Sequence, residues 1–214
     1  MAKGIITSNI EVMKKPKGEI GMVLHKGGEY NPKNGKIEGG KILKESGYNN
    51  LIVNDASRLM AARLHPNNKS NGEDFLETTN GLQYLAVGVG ILNDRNADYD
   101  PVNNTVDESL WSLQNPPAED ININKLEGEL YRKEFTSVCF VDKSGNDTED
   151  VTNVLKIVTT FYDEEAIGPL TEMGIFGGNA TNKKDTGYMF NYKTFAVWNK
   201  PDGARLTITW KLTF

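Results

Sequence analysis

The sequence predicts a mainly β fold, either an antiparallel β-sandwich or a jelly-roll-like barrel, with one short inserted helix and long loops. The final stretch, residues 204–214 (ARLTITWKLTF), alternates apolar and polar side chains, which is typical of a strand with one buried face. Apolar stretches separated by turn signals recur at intervals of about ten residues, as in antiparallel sheets. Only one stretch combines capping residues with the apolar spacing of a helix.

The final strand is predicted to be an integral part of a sheet, paired back onto the strand before it. Its apolar face carries Leu206, Ile208, Trp210, Leu212 and Phe214. The other face is polar, and no Gly or Pro interrupts the run, which favours a strand. Because the last apolar side chain is also expected to be buried, the end of this strand is predicted to be held against the rest of the sheet.

Residues 1–48 are predicted to form an N-terminal arm and a β-hairpin, and residues 49–214 a β-sandwich domain. The first sixteen residues alternate only weakly, so we interpret them as an arm that contacts a neighbouring subunit. A strand over 19–25 and a returning strand over 37–43 flank Asn34-Gly35, which is a strong hairpin signal. The N-terminus has no long apolar segment, and no secretory signal is expected.

The helix is predicted over residues 56–64, with Asn54 or Asp55 as its cap. Its apolar stripe consists of Ala56, Leu59, Met60 and Leu64. His65-Pro66 is expected to end it, because the residue before a proline avoids the helical region. A polar loop follows over 67–80.

The rest of the chain is predicted to consist of strands joined by turns and loops. Gly88 and Gly90 suggest a bulge or a close approach of two backbones. A long loop over 91–107 and a helical turn over 108–114 come next, and a turn with proline at its second position over 200–203 precedes the final strand. The predicted strands are 82–89, 129–142, 151–162, 166–176 and 188–198, with 129–142 and 151–162 forming one antiparallel hairpin.

Composition excludes several classes of protein. The chain of 214 residues has a formal net charge of −5, which argues against a partner that is a nucleic acid, since phosphate binders concentrate Lys and Arg. No apolar run approaches the roughly 20 residues that span a bilayer, so no membrane is expected as a partner. The single cysteine, Cys139, cannot form an internal disulfide and is predicted to be a small core residue.

Metal sites receive little support from the sequence. The loop 94–100 places oxygen side chains at alternate positions, like the start of a calcium loop. The pattern then fails, because Tyr99 stands where the glycine belongs and Val106 where the bidentate glutamate belongs, so a solvated loop is favoured over a cation site. The segment 142–147 is interpreted as an ordinary turn. His25 and His65 are far apart in the sequence and lack a zinc-ligand spacing, so no metal or cofactor is expected.

Glu172 is the main candidate for acid–base chemistry. Apolar residues flank it, which would raise the pKa of a carboxyl group. The favoured interpretation is a structural carboxylate that accepts backbone or hydroxyl hydrogen bonds at a bend in a strand. A hydrolase would need a second carboxylate across a cleft, and the available partners are Asp163 and Glu165.

The segment 188–198 is rich in aromatic residues, and two interpretations are open. The aromatic side chains could form a platform on which sugars or bases stack, or they could belong to the core, which we favour. They are Tyr188, Phe190, Tyr192, Phe195 and Trp198.

Six short segments, taken in order, resemble a family of phage virion proteins, which are tail and structural proteins. The segments are 50–54 (NLIVN), 85–90 (LAVGVG), 129–133 (ELYRK), 172–177 (EMGIFG), 195–201 (FAVWNKP) and 206–210 (LTITW). Their order and spacing cover roughly residues 50–214. The resemblance implies a β-rich virion component that is assembled in many copies and has no catalytic residues.

The sequence therefore favours a structural component of a tailed phage particle, made in the host cytoplasm and located in the virion. It would be assembled in multiple copies on the capsid surface, as capsid decoration, or in the neck, tail or baseplate. Its expected partners are other virion proteins and itself, as a homo-oligomer, and no catalysis is expected. The alternative is a host-surface carbohydrate-binding or receptor-recognition module that uses the aromatic and Asn/Asp-rich loops. A wall-degrading hydrolase is the third hypothesis.

Overall fold

Two antiparallel sheets packed face to face form the core of the protein, as the sequence predicts, and they do not close into a barrel. The computed structural model describes residues 16–56, 59–60, 69–70, 73–74, 81–90 and 119–214. The predicted cation loop at 94–100, the helical turn at 108–114 and nearly all of the N-terminal arm lie outside the described residues.

The described residues form fifteen strands, which are numbered in chain order. They are β1 (Lys17–Lys26), β2 (Glu29–Asn31), β3 (Lys36–Glu38), β4 (Lys41–Asn49), β5 (Leu51–Ile52), β6 (Lys69–Ser70), β7 (Glu73–Asp74), β8 (Leu82–Gly88), β9 (Glu129–Glu134), β10 (Ser137–Val141), β11 (Asp147–Thr148), β12 (Val154–Phe161), β13 (Gly168–Gly177), β14 (Tyr188–Lys200) and β15 (Arg205–Thr213).

The strands fall into two large sheets and two small hairpins. The first sheet has the order β11-β10-β12-β15-β1-β4, and the second has the order β5-β14-β13-β8-β9. The hairpins are β2–β3 and β6–β7. Because the chain moves repeatedly from one sheet to the other, neighbours in a sheet are often far apart in the sequence.

The final strand, β15, occupies the interior of the first sheet, which confirms its predicted role. Trp210 lies opposite Ile20 on β1 and Ile157 on β12, and all three are buried. The predicted pairing with the preceding strand is wrong, because β14 belongs to the second sheet and the turn after it carries the chain across the sandwich. Phe214, predicted to be buried, is 50% exposed because it follows the last paired residue.

The predicted long strand over 129–142 is two strands, one in each sheet. The backbone N–H of Phe135 donates to Gln83 O in the second sheet. The next N–H, of Thr136, donates to Val158 O in the first sheet. The chain therefore changes sheets between these two residues, and only β10 forms the predicted antiparallel pair with β12.

The N-terminal hairpin is also divided more finely than predicted. Asn34-Gly35 lies in the turn between β2 and β3, as expected. The predicted returning strand over 37–43 is split into β3 and β4, because Gly39 between them has a φ of 73°, which a strand does not allow. The predicted domain boundary after residue 48 falls inside β4, whose partner β1 also pairs with β15.

Apolar side chains are buried on both faces of the second sheet. The main core lies between the two sheets and includes Met22, Phe161, Ile175, Trp198 and Trp210. A smaller cluster lies on the other face of the second sheet. Its members are Val53, Ala86, Leu126, Phe176, Ala180, Met189 and Tyr192. The second sheet is therefore covered on both sides, which fits the nearly continuous burial of β13.

Part of the predicted helix lies within the described residues. Residues 54–56 and 59–60 are helical, and Ala56 and Leu59 contact the main core as the apolar stripe predicts. Leu64 and His65 lie outside the described residues. None of the helical segments in the described part of the chain has the length and apolar character needed to cross a bilayer.

Replacing Trp210 tests the central position of β15. Trp210→Ala removes a fully buried side chain, and we expect a loss of about 3–5 kcal/mol in the free energy of unfolding. Val151→Ala, at a side chain that is 84% exposed, should change it by less than about 0.5 kcal/mol. Urea unfolding followed by far-ultraviolet circular dichroism measures both. Equal effects of the two substitutions would contradict the assignment of Trp210 to the core.

Candidate functional site

Glu172 lies on β13 at a fully buried position, where four donors surround its carboxylate. Oε1 accepts hydrogen bonds from the backbone N–H of Gly128 at 2.7 Å and of Gly90 at 3.2 Å. Oε2 accepts from the backbone N–H of Glu127 at 3.1 Å and from the Tyr192 hydroxyl at 2.8 Å. The carboxylate therefore joins β13 to β14, to the segment that follows β8 and to the segment that precedes β9.

Glycines allow the backbone to close around this carboxylate. A Cβ on Gly88 would lie 2.5 Å from Glu172 Oε1 and 2.6 Å from Gly128 O. A Cβ on Gly128 would lie 2.4 Å from Gly90 O. The close backbone approach predicted from Gly88 and Gly90 is confirmed, and its consequence is that backbone N–H groups reach Glu172.

Burial dominates the electrostatics of this site. Burial raises the pKa of Glu172, while the hydrogen bonds from Gly128, Tyr192, Glu127 and Gly90 oppose that rise. Burial also raises the pKa of Tyr192, and the neighbouring Glu172 carboxylate raises it further. Each carboxylate oxygen of Glu172 already accepts two hydrogen bonds. This arrangement fits the interpretation of Glu172 as a structural carboxylate.

The structure does not bring Glu172 together with either proposed catalytic partner. Glu165 accepts hydrogen bonds from Lys133 Nζ and from the backbone N–H of Tyr162. Asp163 accepts hydrogen bonds from Arg205. Each carboxylate therefore belongs to its own ion pair, and no hydrogen bond among the described residues joins either of them to Glu172.

The aromatic side chains of β14 belong to the core, as favoured from the sequence. Phe190, Phe195 and Trp198 pack between the two sheets, and Tyr192 packs on the opposite face of the second sheet. Tyr188 is partly buried. The alternative interpretation is a platform on which sugars or bases stack. The rings of Phe190, Tyr192, Phe195 and Trp198 are buried and do not form one.

His25 and Asp142, two residues considered from the sequence as metal ligands, make hydrogen bonds within the protein. The His25 ring is buried, with Nδ1 2.7 Å from Gly27 O and Nε2 3.1 Å from Thr207 Oγ1. Asp142 accepts hydrogen bonds from the backbone N–H groups of Ser144 and Asn146, as in an ordinary turn. Within the described ranges, no group of three or more His, Cys, Asp or Glu side chains is placed to hold a metal ion.

Cys139 differs from its predicted position. It is half-buried instead of belonging to the core, because it lies opposite Lys156 on the face of the first sheet that points away from the second. Burial raises the pKa of the Cys139 thiol.

Sequence inspection missed a buried ion pair on β9. Arg132 donates from Nε and Nη2 to the two carboxylate oxygens of Glu129, each at 2.7 Å. The Arg132 guanidinium also lies 4.3 Å from the centre of the Phe176 ring and donates to Thr186 O. Residues three apart on a regular strand point to opposite faces, and the irregular pairing beside Gly88 lets these two meet.

Lys200 is a second buried charge that the sequence did not indicate. Its ammonium group donates to Tyr162 O at 2.9 Å and to Asp163 O at 3.2 Å. Burial lowers the pKa of Lys200 to about 8. The residue lies at the end of β14, at the start of the segment 200–203 that is predicted as a turn with proline at its second position.

The edge of the first sheet formed by β4 is the candidate interface. β4 has nine residues and pairs with β1, and no other strand in the described part of the chain pairs with it. Ile42 and Leu43 are 49% and 40% exposed. The side chain of the next residue, Lys44, extends to the second sheet. Its ammonium group donates a hydrogen bond to Val197 O and lies 4.5 Å from the centre of the Trp198 ring.

The chain matches no protein-family model, no curated protein and no solved structure. The functional candidates therefore rest on the geometry of β13, β14 and the β4 edge.

Glu172→Gln tests the structural role of the buried carboxylate. One oxygen becomes an NH₂ group, which cannot accept a hydrogen bond from a backbone N–H. We expect a loss of about 1–3 kcal/mol in the free energy of unfolding, measured by urea denaturation. Glu149→Gln, at an exposed position, is the matched control and should have little effect.

The cost of Glu172→Gln should also depend on pH. Because the pKa of Glu172 is raised in the folded state, the folded protein binds more protons at this site than the unfolded chain does. Its contribution is fully present below the unfolded pKa and is lost as pH rises through the folded pKa. We expect the substitution to cost more at about pH 4 than at about pH 7. A cost that grows with pH would mean that the hydrogen bonds outweigh burial.

Proposed function

We propose that this protein is a structural component of a tailed phage particle, assembled in multiple copies and without catalytic activity. It is made in the host cytoplasm and takes its place in the virion on the capsid surface or in the neck, tail or baseplate. Its partners are other virion proteins and further copies of itself. The observation that carries this proposal is the β4 edge, which offers a long strand for association.

The β4 edge has the properties of a surface that adds a strand from another subunit. An edge strand presents a row of backbone N–H and C=O groups that can pair with a second chain. Ile42 and Leu43 add exposed apolar area beside this row. The neighbouring Lys41 restricts which chains can pair, because a charge on an edge strand discourages unspecific association.

The resemblance to virion proteins maps onto one coherent part of the fold. Its six segments fall on β5, β8, β9, β13, β14 and β15. These are all five strands of the second sheet together with an interior strand of the first. The β4 edge lies outside these segments, which suits a surface that is adapted to a particular partner.

The buried polar groups support a role without catalysis. Glu172 and the Arg132–Glu129 pair are enclosed and make several hydrogen bonds within the protein. They hold loops and strands in place, which a particle component requires. The N-terminal arm, which leads into β1 beside β4, is proposed to contact the neighbouring subunit.

A pair of charged substitutions on the edge tests the proposal. The double variant Ile42→Lys, Leu43→Lys places two ammonium groups on the proposed interface, and we expect it to lose self-association and incorporation into particles. Light scattering on the purified chain measures its mass in solution, and quantitative mass spectrometry of purified particles measures copy number.

A matched control separates this effect from a general effect of added charge. Val138→Lys, Val151→Lys changes two exposed aliphatic residues that lie away from β4. This variant should assemble like the unmodified protein. Absence of the unmodified protein from particles would overturn the virion proposal, and full incorporation of the β4 variant would overturn the role of the edge.

A further inference from the structure

A groove of about 540 Å³ lies on the face of the first sheet that points away from the second sheet. Its floor is formed by β1, β15 and β12. One wall is the β2–β3 hairpin, and the other is the turn that leads into β11. The volume is within the range of small-molecule sites, which is about 300–1,000 Å³.

A charged side chain holds the two walls in place. The Lys156 ammonium group donates to the Asp147 carboxylate in one wall and to Pro32 O in the other. Arg205 also anchors the hairpin, since it donates to Gly28 O. The groove is therefore a fixed feature of the fold, with a buried lysine bridging its walls.

The floor is open at Gly21, which has small residues opposite it on both neighbouring strands. Gly21 on β1 lies opposite Gly47 on β4 and Thr209 on β15. A Cβ on Gly21 would have no heavy atom within 4 Å. Glycine in the middle of a strand lowers stability, and it often marks a place where a ligand comes close to the backbone.

The polar groups on the floor include both donors and acceptors. Glu19 and Lys211 lie opposite each other on β1 and β15 and line the groove. Thr209 and the more deeply buried Thr207 also line the groove. The Thr209 hydroxyl can both donate and accept a hydrogen bond. Tyr30 adds a partly exposed aromatic ring to the hairpin wall.

We propose that this groove binds a short, neutral saccharide. Sugar hydroxyls both donate and accept hydrogen bonds, as the Glu19, Thr209 and Lys211 groups require. The apolar C–H face of a sugar ring can pack on the ring of Tyr30. This inference goes beyond the proposed role in assembly and does not depend on it.

Two other ligand classes fit the groove less well. An anion is disfavoured because most of the positive charge in the groove is balanced: Lys156 pairs with Asp147, and Lys211 lies opposite Glu19. The one cation left over among the described lining residues is the exposed Lys33. A peptide added as a strand would need a free edge. The floor strands β1, β15 and β12 each have a neighbour on both sides.

The test is a glycan array that carries neutral and acidic oligosaccharides together with bacterial surface polysaccharides. The full-length protein should bind a set of neutral glycans, and the free form of the best array glycan should compete. Isothermal titration calorimetry with that glycan then gives the dissociation constant for each variant.

Gly21→Leu fills the open space above the floor and should weaken binding more than about tenfold. Thr209→Val keeps the shape and removes one hydroxyl, and should weaken binding about two- to tenfold. Gly81→Leu is the matched control, because a Cβ at Gly81 also meets no heavy atom within 4 Å. It should bind like the unmodified protein.

Thermal unfolding followed by circular dichroism shows whether each variant is folded. If Gly21→Leu is not folded, Thr209→Val and Glu19→Gln decide the question. Binding to acidic glycans alone, or to no glycan at all, would overturn the proposal. So would unchanged binding of a neutral glycan by every folded variant among Gly21→Leu, Thr209→Val and Glu19→Gln.

Discussion

The fold depends on burial of one face of β15 between the two sheets. Leu206, Ile208, Trp210 and Leu212 are fully buried, and they contact the apolar face of the second sheet. The neighbours of this last strand are β1 and β12, so the first sheet joins the two ends of the described chain. Its interior can be completed only when these distant segments meet, and such non-local pairing slows folding.

The two sheets differ in what covers their outer faces. The second sheet buries an apolar cluster and Glu172 there, whereas the first sheet carries a polar face with Gly21, Thr209 and Lys211. The β4 edge belongs to this same first sheet. Both surfaces proposed to meet a partner or ligand therefore lie on the first sheet, whereas the outer face of the second sheet is covered.

Buried charges hold the connections of the second sheet. Glu172, the Arg132–Glu129 pair and Lys200 each bind backbone groups in segments outside their own strand. Taking a charged group out of water costs free energy, which its hydrogen bonds must offset. Such groups require a particular geometry, whereas an apolar core tolerates several packings. The loops beside β8, β9 and β14 are positioned in this way.

Local patterns in the sequence determined the β class, the alternation of β15, the turn at Asn34-Gly35 and the close backbone approach at Gly88. Glu172 could also be selected from its apolar flanks. The tertiary structure decided which strands pair, where 129–142 changes sheets, and why Cys139 is half-buried. Alternation reports which face of a strand is buried, because it reflects the period of the side chains. The partner of a strand depends on contacts between residues far apart in the chain, and no local pattern carries that information.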